Sequence, residues 1–158
     1  SPQSELESHR NRVDNKISEP GKYEIKPSDT FRVEFCLMQR DGRWVVVGAE
    51  DARKQKGAEK HWVEFRVWTF AEEIDLRKKA TTFDSTKRMH LIDHDLLNRL
   101  KVQKLLKDWS FSECNDRLRL FHSDGVLVDE SYEAFSNLHP NIARYIIEAM
   151  NNVLEFNG

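Results

Sequence analysis

Apolar and polar residues alternate at positions 31–38, which is the clearest pattern in the first third of the chain. A period of two is typical of a half-buried strand, here with one face formed by Phe31, Val33, Phe35 and Leu37. Asp41 and Gly42 follow at a position suited to a tight turn, because glycine adopts positive φ without steric cost. The apolar run at 44–47 returns as a second strand. The pattern therefore predicts a β-hairpin over 31–47.

A third strand is predicted at 61–69, and both of its faces carry large apolar groups. The first face consists of Val63, Phe65 and Val67. The second face includes Trp62 and Trp68. Either the strand is central in a sheet covered on both sides, or it presents the two tryptophans to a partner, since exposed aromatic residues mark interfaces.

Two helices are predicted after this strand. Thr69 and Glu72 fit a capping box, in which each side chain satisfies a backbone N–H of the first turn, so a helix is predicted over 70–80. Asp93 or Asp95 caps a second helix that is predicted to continue to about residue 109. Its apolar residues form two faces, Leu96, Leu97 and Leu100 on one and Val102, Leu105, Leu106 and Trp109 on the other. The helix is therefore sandwiched or bent near Lys101, and two apolar faces favour contact with another chain.

The C-terminal third is predicted to hold one short strand and two more helices. Residues 117–121 alternate like a strand, and 123–125 form a turn. Asp129 is predicted to cap a short helix through residue 137. His139 and Pro140 open the last helix, where proline does no harm by lacking an N–H. One apolar face of that helix consists of Ile142, Ile146, Met150 and Leu154.

The predicted fold class is α+β, with a small antiparallel sheet of about three strands followed by a C-terminal region of three to four helices. Residues 1–22 are predicted to be a polar N-terminal arm and 23–158 a single domain, mainly β over 23–69 and mainly α over 70–158. The arm has too few apolar residues to offset the entropy of ordering it alone. It either becomes ordered on a partner or stays a flexible terminus.

Composition argues against several classes of function. The net charge of −2 gives no general attraction to nucleic acid or to anionic membranes, and no apolar run is long enough to span a bilayer. Cys36 and Cys114 are too few for a disulfide framework and are predicted to be reduced thiols. No cofactor is predicted, because the chain contains neither a phosphate-cradling glycine loop nor a dinucleotide fingerprint.

The candidate for metal chemistry lies in segment 89–95. His90 and His94 are four residues apart, so on a helix their imidazoles share one side, and Asp93 stands between them. The pattern lacks a glutamate beside the first histidine and a third ligand at a known spacing. A metal-dependent hydrolase that uses His90, Asp93 and His94 is kept as an alternative.

Two further patterns give weaker signals of chemistry. His122 and Asp124 would form an acid–base pair, but their place beside a turn favours a solvated histidine. Phe65, Arg66 and Trp68 interleave aromatic and basic groups, which suits stacking on single-stranded nucleic acid. Nearby glutamates oppose that binding by charge repulsion.

The run WTFAEEIDLRKKA at 68–80 is similar to a stretch in the tail proteins of tailed bacteriophages, and resembles in particular small tail-assembly chaperones and baseplate or hub assembly proteins. In those proteins a strand ends in a Thr-Phe-x-Glu-Glu helix start, a leucine-rich helix follows (here 95–109), and a helix opened by proline closes the chain (here 140–154). The resemblance covers about 62–156 and leaves the arm and the hairpin outside it. It implies a non-enzymatic protein that binds tail components, and it assigns no catalytic residue.

The predicted function is therefore a structural or assembly protein of a phage tail, in the baseplate or hub region. Its expected partners are other tail or baseplate proteins or further copies of itself, with no nucleic acid, membrane or small-molecule substrate. The expected location is the virion tail, after synthesis in the host cytoplasm. The alternative is a cytosolic tail-assembly chaperone that is absent from the virion. The predicted partner-binding residues are Trp44, Trp62, Trp68, Val102, Leu106 and Trp109.

Overall fold

The computed structural model of the chain describes residues 22–26, 28–48, 56–114 and 116–156, with only the backbone described at 114 and 153–156. The predicted N-terminal arm lies outside the described residues except for Lys22, and so does the side chain of Leu154. The architecture is α+β, as predicted.

Four antiparallel strands form the main sheet: β1 Thr30–Arg40, β2 Arg43–Val47, β3 Glu59–Arg66 and β6 Leu106–Trp109. Their order is β2-β1-β3-β6, so β3 is central. The predicted turn between β1 and β2 is confirmed, because Asp41 and Gly42 both have positive φ, 53° and 77°, and Arg40 pairs with Arg43. The third predicted strand, 61–69, is confirmed as β3, which spans Glu59–Arg66.

Five α-helices are present in the part of the chain that the structure describes: α1 Phe70–Lys79, α2 His94–Leu105, α3 Phe111–Cys114, α4 Asp129–Ser136 and α5 Pro140–Phe156. The capping box of α1 is confirmed, since the Glu72 N–H donates to Thr69 Oγ1 at 3.2 Å and the Thr69 N–H donates to Glu72 Oε1 at 3.3 Å. Pro140 opens the last helix, also as predicted.

The core lies between one face of the main sheet and the helices. Phe35, Leu37, Val63 and Phe65 point inward from β1 and β3, because side chains alternate between the two faces of a strand. They meet buried residues of α1, α2, α4 and α5, including Leu76, Leu105, Phe135, Ile146 and Met150. Each large apolar side chain buried in this way stabilises the fold by roughly 1.5–3 kcal/mol. The opposite face of the sheet carries Arg32, Trp62 and Glu64.

The long second helix is shorter than predicted. It ends at Leu105, and the next four residues form β6 at the edge of the sheet. Pairing of β6 with β3 places Trp109 opposite Val63 and buries both side chains. The second apolar face read from the sequence therefore divides between two elements, α2 and β6, and its four side chains are buried within this chain: Val102, Leu105, Leu106 and Trp109. A bend near Lys101, one of the two alternatives predicted for this helix, is not needed to explain the apolar spacing, because α2 ends at Leu105.

Two predictions in the C-terminal third are wrong. Residues 117–121 do not form a strand: the 3₁₀-helix Asp116–Leu118 occupies its start, where the Leu118 carbonyl accepts a hydrogen bond from the Trp109 indole. Asp129 does not cap α4, since Val128 is the N-cap and makes no side-chain hydrogen bond. Instead the Asp129 carboxylate accepts from Gln103 Nε2 at 3.0 Å. The turn at 123–125 is confirmed between the short strands β7 His122–Ser123 and β8 Val126–Leu127.

Candidate interaction surface

A β-hairpin that the sequence did not predict follows α1. It consists of β4 Thr81–Asp84 and β5 Met89–Ile92, which pair with each other as a separate two-stranded sheet. Thr81 opposes Ile92 and Asp84 opposes Met89. Because neither strand joins another strand of the described residues, each keeps a free backbone edge.

Local hydrogen bonds explain why this segment turns where it does. Asp84 Oδ1 accepts the Thr86 N–H at 2.9 Å and the Lys87 N–H at 3.2 Å, which fixes the first half of the turn. Arg88 completes the turn with φ of 50°, an uncommon conformation for a residue other than glycine. At the base of the hairpin, the Asp93 N–H donates to the Ala80 carbonyl at 2.8 Å.

The hairpin exposes large apolar side chains on both faces. The exposed fraction is 60% for Phe83, 49% for Met89, 37% for Leu91 and 43% for Ile92. Phe83 and Ile92 share one face with His90, and Met89 and Leu91 share the other. Four of the eight large apolar residues that are exposed in the described part of the chain therefore lie within one hairpin. Such clustering is typical of an interaction site, whereas single exposed apolar residues are ordinary.

The predicted metal ligands do not converge. His90 lies on β5 and faces the Phe83 ring, with centroids 5.2 Å apart. His94 is the first residue of α2, so the two histidines do not share one helix. Asp93 accepts the Leu96 N–H at 3.1 Å as the N-cap of α2. Among the described residues, no group of three His, Cys, Asp or Glu side chains is placed to hold a metal ion.

Of the six predicted partner-binding residues, four are buried and two, Trp44 and Trp62, are half-buried. Trp68, Val102, Leu106 and Trp109 are buried in this chain's own core, which accounts for their apolar character without a partner. Trp44 is half-buried against the core, and Asn141 of α5 donates to its carbonyl at 3.1 Å. Trp62 lies on the outer face of the sheet. The Arg32 guanidinium carbon is 3.8 Å from the centroid of its ring, a cation–π contact.

A chain of polar side chains that runs from the buried Ser110 and His61 to the exposed Glu59 was not found from the sequence. Ser110 Oγ accepts the Trp62 N–H at 3.0 Å and lies 2.9 Å from His61 Nδ1. His61 Nε2 lies 3.2 Å from Glu59 Oε2. These distances are satisfied together when the serine hydroxyl donates to Nδ1 and Nε2–H donates to the carboxylate.

Serine, histidine and glutamate are residue types of nucleophilic catalysis, but this geometry favours a structural role. Ser110 is buried, and its oxygen already accepts a backbone hydrogen bond. The His61 ring packs against Phe111, with centroids 4.7 Å apart. The Ser110 N–H also donates to the Trp62 carbonyl at 3.0 Å. These hydrogen bonds therefore extend the pairing of β3 beyond β6 to Ser110.

His122, the candidate acid–base partner of Asp124, lies on β7. Its Nε2 lies 2.9 Å from the Leu106 carbonyl oxygen, so the imidazole links the β7–β8 hairpin to β6.

Cys36 is a free, buried thiol of β1. No helix in the described residues has both the length and the apolar content needed to cross a bilayer.

Comparison with known proteins adds no identification. The chain matches no protein family, no curated protein and no solved structure at a significant level. The functional argument therefore rests on the geometry of this chain.

Proposed function

We propose that this protein is a non-enzymatic protein-binding domain and that the β4–β5 hairpin is its docking element. The observation that carries the proposal is the exposure of Phe83, Met89, Leu91 and Ile92 on one short hairpin. An isolated two-stranded hairpin is marginally stable in water unless it packs on something. Burial of these side chains against a partner removes apolar surface from water and completes a packed structure.

The hairpin also indicates the chemistry of its partner. Lys87 and Arg88 occupy the turn and are exposed, and only Asp84 carries an opposite charge within the hairpin. A complementary surface therefore has an apolar cleft for the aromatic and aliphatic side chains and acidic groups where the turn ends. A different protein with that surface suits the basic turn better than a second copy of this hairpin.

Phage tail assembly is the setting that we propose for this binding. The support is the resemblance over about 62–156, which includes the confirmed helix start at Thr69 and Glu72. The hairpin follows that helix directly, so the proposed docking element lies inside the region of resemblance. A tail or baseplate subunit is then the partner to test. Detection of this chain in purified virions supports a structural role, and its presence only in the host cytoplasm supports the chaperone alternative.

Fewer structural observations support the two alternative functions. The metal-dependent hydrolase requires His90, Asp93 and His94 to converge, and they lie on a strand, at a cap and on a helix. The nucleic-acid alternative uses Phe65, Arg66 and Trp68, of which Phe65 and Trp68 are buried in the core. Stoichiometric metal in the purified protein would support the hydrolase. Salt-dependent binding to single-stranded nucleic acid would support the nucleic-acid alternative.

The proposed function is tested by comparing two matched variants. Phe83→Ser removes an exposed ring from the hairpin, and Phe121→Ser removes a ring of similar exposure, 60% against 57%, elsewhere on the surface. Binding to purified tail and baseplate subunits is measured by calorimetry. We expect Phe83→Ser to weaken binding at least about 30-fold, as expected for a buried aromatic anchor, and Phe121→Ser to leave it unchanged. Equal effects of both variants would contradict a docking role for the hairpin.

Self-association gives a further check on the partner. Sedimentation equilibrium over a range of protein concentrations is expected to show a monomer for both the parent chain and Phe83→Ser. A dimer that dissociates in Phe83→Ser but not in Phe121→Ser would assign the hairpin to contacts between copies of this chain. That result would overturn the proposed partner while keeping the docking surface.

A further inference from the structure

A basic cleft lies on another part of the surface, where β3 ends and α1 begins. Its volume is about 290 Å³. The charged side chains that line it are Lys26, Arg66, Glu72 and Lys104. These residues come from the segment before β1, the end of β3, the first turn of α1 and the end of α2. The cleft therefore depends on the tertiary fold and has no local sequence motif.

Hydrogen bonds hold the wall that carries Lys26 in place. The Lys26 N–H donates to Asp29 Oδ2 at 2.8 Å, and the Asp29 N–H returns a bond to the Lys26 carbonyl at 2.9 Å. The Val67 N–H donates to the Asp29 carbonyl at 3.3 Å, which fastens this turn to the end of β3. The backbone of Lys26 is thus tied through Asp29 to the end of β3, beside the cleft.

The positive charge in the cleft is only partly compensated. Three cationic side chains face one carboxylate, so the lining has a net charge of +2. Glu72 Oε2 lies 3.4 Å from both Arg66 Nη2 and Lys104 Nζ, longer than the roughly 2.7–2.9 Å of a strong charge-assisted hydrogen bond. Glu72 Oε1 is already engaged by Thr69. Within the described residues, Arg66 Nε is buried without a hydrogen-bond partner, which is uncommon in folded proteins.

We propose that this cleft binds a small ligand through a phosphate group. A phosphate dianion balances the net charge and supplies oxygen acceptors for Lys26, Lys104 and the guanidinium of Arg66. The cleft lies at the N-terminus of the ten-residue helix α1, whose dipole adds to the attraction for an anion. Its size is near the lower end of the roughly 300–1,000 Å³ of small-molecule sites, enough for a phosphate and a small organic group. This site is separate from the proposed docking hairpin.

Inorganic phosphate is the probe for the test. Calorimetric titration into the full chain at constant ionic strength is expected to show saturable binding in the millimolar range or tighter, and titration with acetate or chloride is not. Lys26→Gln is expected to weaken phosphate binding about tenfold, the effect of removing one hydrogen bond to a charged group. Lys107→Gln makes the same charge change outside the cleft, where Lys107 pairs with Glu64 at 3.9 Å, and is expected to have no effect.

Glu72→Gln is expected to strengthen phosphate binding, the opposite of the effect of Lys26→Gln. Glutamine still serves in the capping box, so the fold is retained while the negative charge in the cleft is removed. Phosphate binding is therefore expected to tighten about tenfold or more. Equal responses to phosphate, acetate and chloride would overturn the site. So would the same loss of affinity in Lys26→Gln and Lys107→Gln, because that loss reflects net charge alone.

Discussion

Phe83 and His90 face each other across the β4–β5 hairpin with ring centroids 5.2 Å apart, and the pair lies on the protein surface. A cross-strand pair of this kind contributes roughly 0.2–1 kcal/mol to the sheet that carries it. The exposure of Phe83 means that the domain core does not depend on it. We therefore expect Phe83→Ser to lower the free energy of unfolding by less than about 1 kcal/mol, measured by urea denaturation.

A core aromatic residue provides the comparison. Phe65 is fully buried on β3, so Phe65→Ala is expected to lower the free energy of unfolding by about 3–5 kcal/mol. If Phe83→Ser destabilises the chain as much as Phe65→Ala does, the hairpin is an integral part of the core, and its role as a free docking element is wrong.

Trp62 within β3 and Trp68 just after it are expected to behave differently. Trp68 is buried at 8% exposure, whereas Trp62 lies on the outer face beneath Arg32. Trp68→Ala is expected to cost about 3–5 kcal/mol of folding stability. Trp62→Ala is expected to cost less than about 2 kcal/mol, since it loses partial burial and a cation–π contact. Thermal and urea unfolding of both variants measures the difference, and equal losses would contradict the assigned faces.

Ser110 is expected to contribute to stability through the sheet edge. Ser110→Ala removes the acceptor of the Trp62 N–H and the partner of His61 Nδ1, so buried polar groups lose their hydrogen bonds. The expected loss of unfolding free energy is about 1–3 kcal/mol. Ser136→Ala is the control, because the Ser136 hydroxyl donates to the Glu133 carbonyl at an exposed position. A neutral Ser110→Ala would show that the hydrogen bonds of Ser110 with Trp62 and His61 do not stabilise the sheet.

Local sequence signals predicted the elements whose cause is local. The turn at Asp41 and Gly42 requires positive φ, and the cap at Thr69 and Glu72 is satisfied within four residues. Both follow directly from residue type. The final helix likewise has an apolar face that is visible in the spacing of Ile142, Ile146 and Met150.

Two features fixed by distant contacts were missed, and so was one local hairpin. Residues 106–109 continue the apolar spacing of α2, but their pairing with β3 forms a strand, and the register of that pairing is not encoded locally. The β4–β5 hairpin has apolar residues on both faces and an arginine, not a glycine, at the positive-φ position, so neither alternation nor turn composition marks it. His61 and Ser110 are separated by 49 positions and meet only in the folded sheet.

Site-specific photo-crosslinking tests the central claim most directly. A photoreactive phenylalanine analogue is placed at Phe83 or, as the matched control, at Phe121, and the chain is produced together with the tail and baseplate proteins. The account predicts one defined crosslinked protein from position 83 and none from position 121, because only the hairpin is the docking element. Crosslinking from position 121 alone, equal crosslinking from both positions, or none from position 83 would contradict it.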